Sequence, residues 1–443
     1  MKIDSGSTAW MLASTALVLL MTPGLAFFYG GMTRSKSTLN MMMMSWIAIV
    51  TVSIAWVLFG DSLSFAPGNG FIGGFKYLGE SGLVGTDTRV AGIPDLLFSV
   101  FQLTFAVITV ALISGAIADR TKFGAWALFT VLWATLVYFP VAHWVWGGGW
   151  LSSLGIEDFA GGTVVHVNAG SAGLALALVL GKRRGWGKDS MRPHNVPMTL
   201  LGAGLLWFGW FGFNAGSELA ADGTASLAFM NTQIATAAAA GGWLLVERYR
   251  DGKPTTIGVA SGAVAGLVAI TPACAFIAPW AAIVLGLAAG ALCCCAIGLK
   301  HKLGFDDSLD VVGVHLVGGA FGAISLGFLA AYPLLNGQRK GLFYGGGIHQ
   351  LGTQALGPVA VGLYSFTVAW ILAKIIDKTM GFRIPEEDEV AGIDVSEHAE
   401  EAYEFGNVHS AGLAGLAALG AVNGKASAGE APPEDAKEVT RAH

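Results

Sequence analysis

Ten stretches of this 443-residue chain run without a single Asp, Glu, Lys or Arg for 23 residues or more: 5–33, 37–60, 96–118, 123–156, 159–181, 193–217, 223–246, 254–299, 311–338 and 341–373. A helix that crosses a bilayer needs about 20 consecutive apolar residues, so nine of these stretches hold one span each. The stretch 254–299 has 46 residues, with Pro272 and Pro279 near its middle, and divides into two. Eleven spans follow, in an all-α integral membrane protein. The composition agrees: 54% of residues are hydrophobic and 12% charged, against about 25% charged in soluble domains. Two further charge-free stretches do not qualify, since 62–75 is short and Gly-rich and 405–424 is Ala/Gly-rich with polar ends.

Lys and Arg favour cytoplasmic loops, which orients the spans. The loops after spans one, three, five, seven and nine carry fourteen basic residues, Arg34, Lys36, Arg120, Lys122, Lys182, Arg183, Arg184, Lys188, Arg192, Arg248, Arg250, Lys253, Lys300 and Lys302. The other side carries five, Lys2, Lys76, Arg89, Arg339 and Lys340. The expected topology is therefore N-terminus out and C-terminus in. "MKIDSGSTAW" leads straight into the first span without the basic, apolar and cleavage regions of a signal peptide, so that span is expected to insert the protein itself. Cys274 and Cys293 to Cys295 lie within apolar spans, without metal or redox spacing, and read as small packing residues.

Composition changes near residue 379. Residues 1–378 form a membrane domain of net charge +4, and 379–443, with 4 basic and 13 acidic residues, carry −9. The part at 379–405, which includes "GFRIPEEDEVAGIDVSEHAEEAYEF", mixes acids with Val, Ile, Tyr and Phe and is expected to dock as a cytoplasmic tail. Residues 406–443 read as a disordered extension. No nucleic-acid partner is expected.

Two histidines stand inside apolar runs with similar neighbours: His166 in "GGTVVHVNAG" and His315 in "DVVGVHLVGG". Each falls early in its span, the fifth and the tenth, and spans five apart run in opposite directions. "TPGLAFFYGG" in span one likewise parallels "GWFGFNAGS" in span six. This pattern marks a 5+5 inverted repeat with an eleventh helix left over, and in such folds the substrate path lies between the repeats near the midplane. Ionisable residues inside the membrane are candidate functional groups. A neutral imidazole offers one donor and one acceptor, so two facing rings suit a small uncharged polar solute. A metal site is the rival reading, but neither histidine has a Cys, Asp or Glu beside it in its span to complete a tetrahedral set.

The outer side supplies Trp146 and Asp158, flanking a Gly-rich loop in "HWVWGGGWLSSLGIEDFAGG", with Phe213 and Ser217 in "FGFNAGSEL" and Phe101 and Phe105 in "FQLTFA". Singly, these are ordinary interfacial or core residues. Together, aromatic faces that attract a cation, a hydroxyl acceptor and a carboxylate favour a small cation that donates hydrogen bonds. A cation outside and a neutral solute inside differ by a proton.

The motifs "FQLTFAVITVALISGA", "WGGG", "DFAGGTVVHVNAG", "GWFGFNAGS", "NTQIATAAA", "DDSLDVVGVHLVGG" and "GIDVSEHAEEAY", spread over roughly residues 5–405, resemble the ammonium transporters of the Amt/Mep/Rh family, and its bacterial and archaeal Amt branch most. The resemblance implies that Trp146 and Ser217, with the ring of Phe105, recruit ammonium (methylammonium as an analogue) on the outer side. It implies a stacked gate of Phe105 and Phe213 with Phe101 also facing the pore, a supporting role for Asp158 in recruitment and deprotonation, and a pore lined by the twin histidines His166 and His315 and by Trp210. It further implies a homotrimer in the cell membrane with one pore per subunit, a PII-type signal protein on the cytoplasmic face, and neither enzymatic activity nor a cofactor. Against that resemblance, the chain is expected to lack the cleaved leader of some members, and its last forty residues match no family pattern.

Two other classes remain beside transport. An ammonium sensor would act through the tail, although no kinase, cyclase or helical output segment follows residue 405. A sodium-coupled carrier for a larger solute would want midplane carboxylates, and the spans carry Asp or Glu only at their ends.

Overall fold

The computed structural model describes residues 3–332 and 340–403; the extension expected at 406–443 and the stretch 405–424 lie outside them. The described residues are helical, and their only bridges are two isolated ones, Gly68 to Gly73 and Thr121 to Arg383. Every span expected from the sequence coincides with a helical segment. These are α1 (Ser5–Met32), α2 (Ser35–Phe65), α3 (Asp95–Ile117), α4 (Phe123–Leu154), α5 (Gly162–Leu180), α6 (Val196–Glu218), α7 (Gly223–Arg250), α8 (Thr256–Ile270), α9 (Pro279–Leu303), α10 (Val312–Leu329) and α11 (Gly347–Met380). Among the described residues, nine are both long and apolar enough to cross a membrane.

The two exceptions have physical causes. α7 is 28 residues long but carries Asn231, Thr232 and Thr236, all fully buried against neighbouring helices. α8 has only 15 residues, about 22 Å at 1.5 Å per residue. It stops at Thr271, and the chain stays irregular until Pro279 opens α9 at a position where its missing N–H costs nothing. The division expected within 254–299 thus falls at 271–278.

α1 packs along α6, α7 along α8 and α9, and α5 along α11. The helices that carry the two histidines, α5 and α10, approach closely because glycine stands four residues after each histidine. A β-carbon at Gly170 would collide with the backbone nitrogen of Leu316, and one at Gly319 would lie 2.8 Å from the carbonyl oxygen of Gly162. Small residues at such crossings are what lipid-embedded helices use to gain contact.

Two short helices follow α11: α12 (Glu386–Ala391) and α13 (Ile393–His398). Their acids meet the unpaired first-turn N–H groups of the membrane helices. Asp394 accepts from Leu39 and Asn40 at 3.0 and 2.8 Å, and Glu397 from Phe123 at 2.9 Å. Buried Glu389 accepts from the Arg184 backbone N–H and the Arg383 guanidinium, both at 2.6 Å. His398 meets Asn40 Oδ1 at 3.0 Å and sets its ring against Phe123. The segment expected to dock is therefore tied to α2, α4 and the 182–195 loop.

Candidate functional site

α5 and α10 both open with a wide π-helical turn, Gly162–Val167 and Val312–Leu316, and each turn contains its histidine. Such turns redirect side chains and recur at functional positions. Each start is closed by a carboxylate. Asp158 accepts from the N–H groups of Gly161, Gly162, Thr163 and Val164 at 2.6–3.1 Å. Asp307 accepts from Val311 at 3.0 Å and Val312 at 2.7 Å. Burial raises the Asp158 carboxyl from its ordinary value while these four N–H groups pull it down. Asp307 is pushed up to about 6, by burial first, with the Lys300 ammonium acting against it.

The two π turns bring the rings face to face. His166 Nδ1 and His315 Nδ1 are 3.3 Å apart, with centroids 5.3 Å apart and planes 27° from parallel. For this contact to be a hydrogen bond between neutral rings, one nitrogen donates and the other accepts, which leaves one acceptor and one donor at the two Nε2 atoms. His166 Nε2 has no hydrogen-bond partner. Among the described residues, no cluster of three His, Cys, Asp or Glu stands where it could hold a metal ion.

From the histidines a continuous row of rings leads away. His166 stacks on Trp210 at 5.4 Å and on Phe213 at 6.1 Å. Phe213 stacks on Phe105 at 4.1 Å and 19°, Phe105 touches Phe101 at 4.9 Å, and Phe105 meets the edge of Trp146 at 6.0 Å and 86°. Phe101, Phe105 and Phe213 are fully buried, and Trp146 is half-buried at the end of the row. α4 leaves regular helix after Val145, so Trp146 caps a helical run, and its indole N–H donates to the Asp158 carbonyl at 2.8 Å. Ser217, also half-buried, donates to the Phe213 carbonyl at 2.8 Å and keeps its lone pairs free to accept. Below the phenylalanines lies a cavity lined by His166, His315, Trp210 and Phe213 together with Leu, Ile and Val side chains, with about 10 Å³ for the centre of a water-sized solute. That is room for one small molecule. All nine residues singled out in the sequence thus stand along or beside one row.

A model of the Ammonium Transporter Family matches residues 9–403. The chain belongs to that family. The ammonium transporter of Mycobacterium tuberculosis is 57% identical over 433 residues, covering 91% of each chain, and that of Bacillus subtilis is 50% identical, covering 91% of this chain and 99% of its own. The crystal structure of Saccharomyces cerevisiae Mep2 shares 36% identity at a TM-score of 0.81, covering 87% of this chain and 89% of its own. A solved structure named Sensor Amt Protein shares 29% identity at a TM-score of 0.82, covering 89% of this chain and 98% of its own. As an ammonium transporter the chain is a multi-pass protein of the cell membrane, and its family is one of transporters, not of enzymes.

Three features of this transporter escaped the sequence reading. Asp307 precedes His315 by the same eight residues that separate Asp158 from His166, a spacing that was legible. The Gly170 and Gly319 crossing was legible too, as H-x-x-x-G at both histidines. Thr271, which receives the Trp210 N–H at 2.9 Å, left no signal, since a threonine in an apolar run marks nothing.

Proposed function

We propose that this chain takes ammonium from the outer side, strips it of a proton at the phenylalanine gate and passes ammonia along the twin-histidine pore to the cytoplasm, the proton either returning to the outer solution or crossing separately along the histidines. The observation that carries the reading is the unbroken row of rings from half-exposed Trp146, through buried Phe105 and Phe213, to the facing His166 and His315. Trp146, Ser217 and the Phe105 ring recruit the cation. The stacked pair Phe105 and Phe213, with Phe101 behind, closes the path to water. Asp158 acts at a distance, by holding the Trp146 indole through its carbonyl and the start of α5 through its carboxylate. His166, His315 and Trp210 line the pore.

Energetics favour a neutral cargo. Moving a bare ammonium ion into a medium as apolar as this costs tens of kcal/mol by Born estimates. Removing a proton from an amine a few pK units above neutrality costs roughly 1.4 kcal/mol per unit. Potassium has no proton to shed, so the same apolar segment turns it away. The facing imidazoles then supply one donor and one acceptor edge to a solute that can use both.

The chain crosses the membrane eleven times, N-terminus out and C-terminus in, as a 5+5 inverted repeat plus α11, and it works as a homotrimer with a PII-type signal protein as its cytoplasmic partner. The basic loops, the opposed starts of α5 and α10 and the docked tail support this arrangement. A second reading, an ammonium sensor acting through its tail, is favoured by the contacts of α12 and α13 with the cytoplasmic loops and by the fold shared with the structure named Sensor Amt Protein.

The test is potassium current against ammonium flux in liposomes that contain only this protein, for the parent and for His166→Asp. A carboxylate in the pore should admit cations without deprotonation and erode selectivity. Unchanged selectivity together with unchanged flux would make the histidines packing residues, and a parent without flux would leave the sensor reading.

A further inference from the structure

Trp210 is the pore wall beside His166, and its indole N–H points away from the cavity into a buried polar chain. Nε1 donates to the Thr271 hydroxyl at 2.9 Å. An indole is a donor only, so that hydroxyl accepts, and its own proton goes to Asn214 Oδ1 at 3.2 Å or to the Leu267 carbonyl at 2.7 Å. Asn214 Nδ2 donates to the Thr232 hydroxyl at 2.9 Å, which donates to the Ala228 carbonyl at 2.6 Å. Thr271, Asn214 and Thr232 are fully buried. The chain therefore ties α6, α7 and the break after α8 together, and Trp210 has one orientation in which its single donor is satisfied.

The break holds the other wall as well. Pro272, next to Thr271, packs against Gly162 so closely that a β-carbon there would lie 2.5 Å from its ring, and the Pro272 carbonyl accepts from Phe159 at 3.3 Å. Residues 271 and 272 thus fix both Trp210 and the start of the His166 helix, whose rings stack at 5.4 Å. With about 10 Å³ in the cavity between them, a solute larger than ammonia by one methyl group passes only if a wall gives way. The tether decides how readily the indole wall does.

We infer that Thr271 is a specificity-determining positioning residue: by anchoring the Trp210 indole it sets the pore's clearance and so its discrimination between ammonia and methylated amines. This rests on the pore reading above. Replacing Thr271 by valine keeps the side chain's shape and removes the acceptor, so the indole is freed to tilt. The ratio of methylammonium to ammonium flux in liposomes is then expected to rise about threefold to tenfold, as the loss of one hydrogen bond allows. Thr271→Ser, which keeps the hydroxyl, should restore the parent ratio.

Because the effect runs through the indole N–H, Thr271→Val should add nothing to the ratio in a Trp210→Phe background. A Thr271→Val ratio equal to the parent's, a Thr271→Ser shift as large as the valine variant's, or an undiminished valine effect in the Trp210→Phe background would each overturn the proposal. If Thr271→Val does not fold, the serine variant still decides, since a shifted ratio there removes the hydroxyl as the cause and a parental ratio, beside a shifted Trp210→Phe, upholds it. Failure of the pore reading looks different: Trp210→Phe and His166→Asp would then both leave ammonium flux and its selectivity untouched.

Discussion

Asp158 and Asp307 stand in the same relation to opposite helices: each lies eight residues ahead of a histidine, and each closes the start of that histidine's helix with its carboxylate oxygens. Helix starts leave N–H groups without partners and carry partial positive charge, so a carboxylate at each start fixes the turn in which the imidazole sits. The two ends are not chemically equal. Asp158 also presents its carbonyl to the Trp146 indole, whereas Asp307 presents its carbonyl to the Lys300 ammonium at 2.8 Å.

Asp307→Ala is therefore expected to strip the cap from α10 and lower stability by about 0.5–2 kcal/mol, the usual loss for an N-terminal cap. It should also lower ammonium flux by misplacing His315, while the apparent affinity for methylammonium, set near Trp146, stays at the parent value. Thermal unfolding and a concentration series in liposomes measure both. A variant with weakened external affinity and normal flux would contradict the division of labour.

Trp146→Leu removes a cation-attracting face whose contribution is about 0.5–2 kcal/mol. Apparent affinity for methylammonium should weaken about 2- to 30-fold by the same figure. Trp146→Phe keeps a ring but loses the N–H that meets the Asp158 carbonyl, and should fall between the two. Affinity unchanged in the leucine variant across a full concentration series would remove Trp146 from the recruitment site.

In the 66–94 loop, Glu80 accepts from the Ser99 hydroxyl at 2.8 Å beside Asp61, which is paired with Arg89 at 2.7 Å, while Asp95 takes the Thr86, Thr88 and Arg89 donors. Burial first, and then the charge of Asp61, push Glu80 from 4.5 to about 7. A carboxyl raised in this way holds its proton more tightly in the folded loop than in the unfolded chain. Its contribution is complete below about 4.5 and fades as pH rises through about 7. The loop should be better protected at pH 5.5 than at pH 8 in hydrogen exchange corrected for intrinsic rate, and Glu80→Gln should flatten the difference. A wild-type loop equally protected at both pH values would count against it.

Much of this molecule was legible because charge is the strongest signal a membrane chain carries. The charge-free stretches located every long helix, and the matching surroundings of His166 and His315 marked the pair. The polar middle of α7 was harder to read: Thr232 and Thr236 donate to carbonyls of their own helix, but Asn231 finds its acceptors in the break after α8, which the sequence does not place beside it. Those acceptors, the carbonyls of Cys274 and Ile277, lie more than forty residues away. Thr271 hides for the same reason, its meaning lying in Trp210 and Asn214 on another helix. In the tail, "GIDVSEHAEEAY" was visible as a docking segment, but its partners Asn40 and Phe123 lie 354 and 274 residues away along the chain, and only the fold supplies them.

The tail itself gives the last prediction. Asp394 and Glu397 cap the first turns of α2 and α4 from outside those helices, and Glu389 joins Arg383 to the loop after α5. A segment that caps two membrane helices at once can stabilise the helix ends it meets. Deleting 384–443 leaves the N–H groups of Leu39, Asn40 and Phe123 without those carboxylates and should impair transport. Deleting 408–443 touches none of these contacts and should leave transport intact. Asp394→Ala isolates the cause, because it removes the cap on α2 and leaves the rest of the tail in the chain, and it should reproduce part of the loss. The measurement is ammonium uptake per folded protein for all three. Equal uptake in both truncations would show that the docked tail does not act on transport, and a normal Asp394→Ala beside an impaired 384–443 deletion would move the cause from the cap to the other tail contacts.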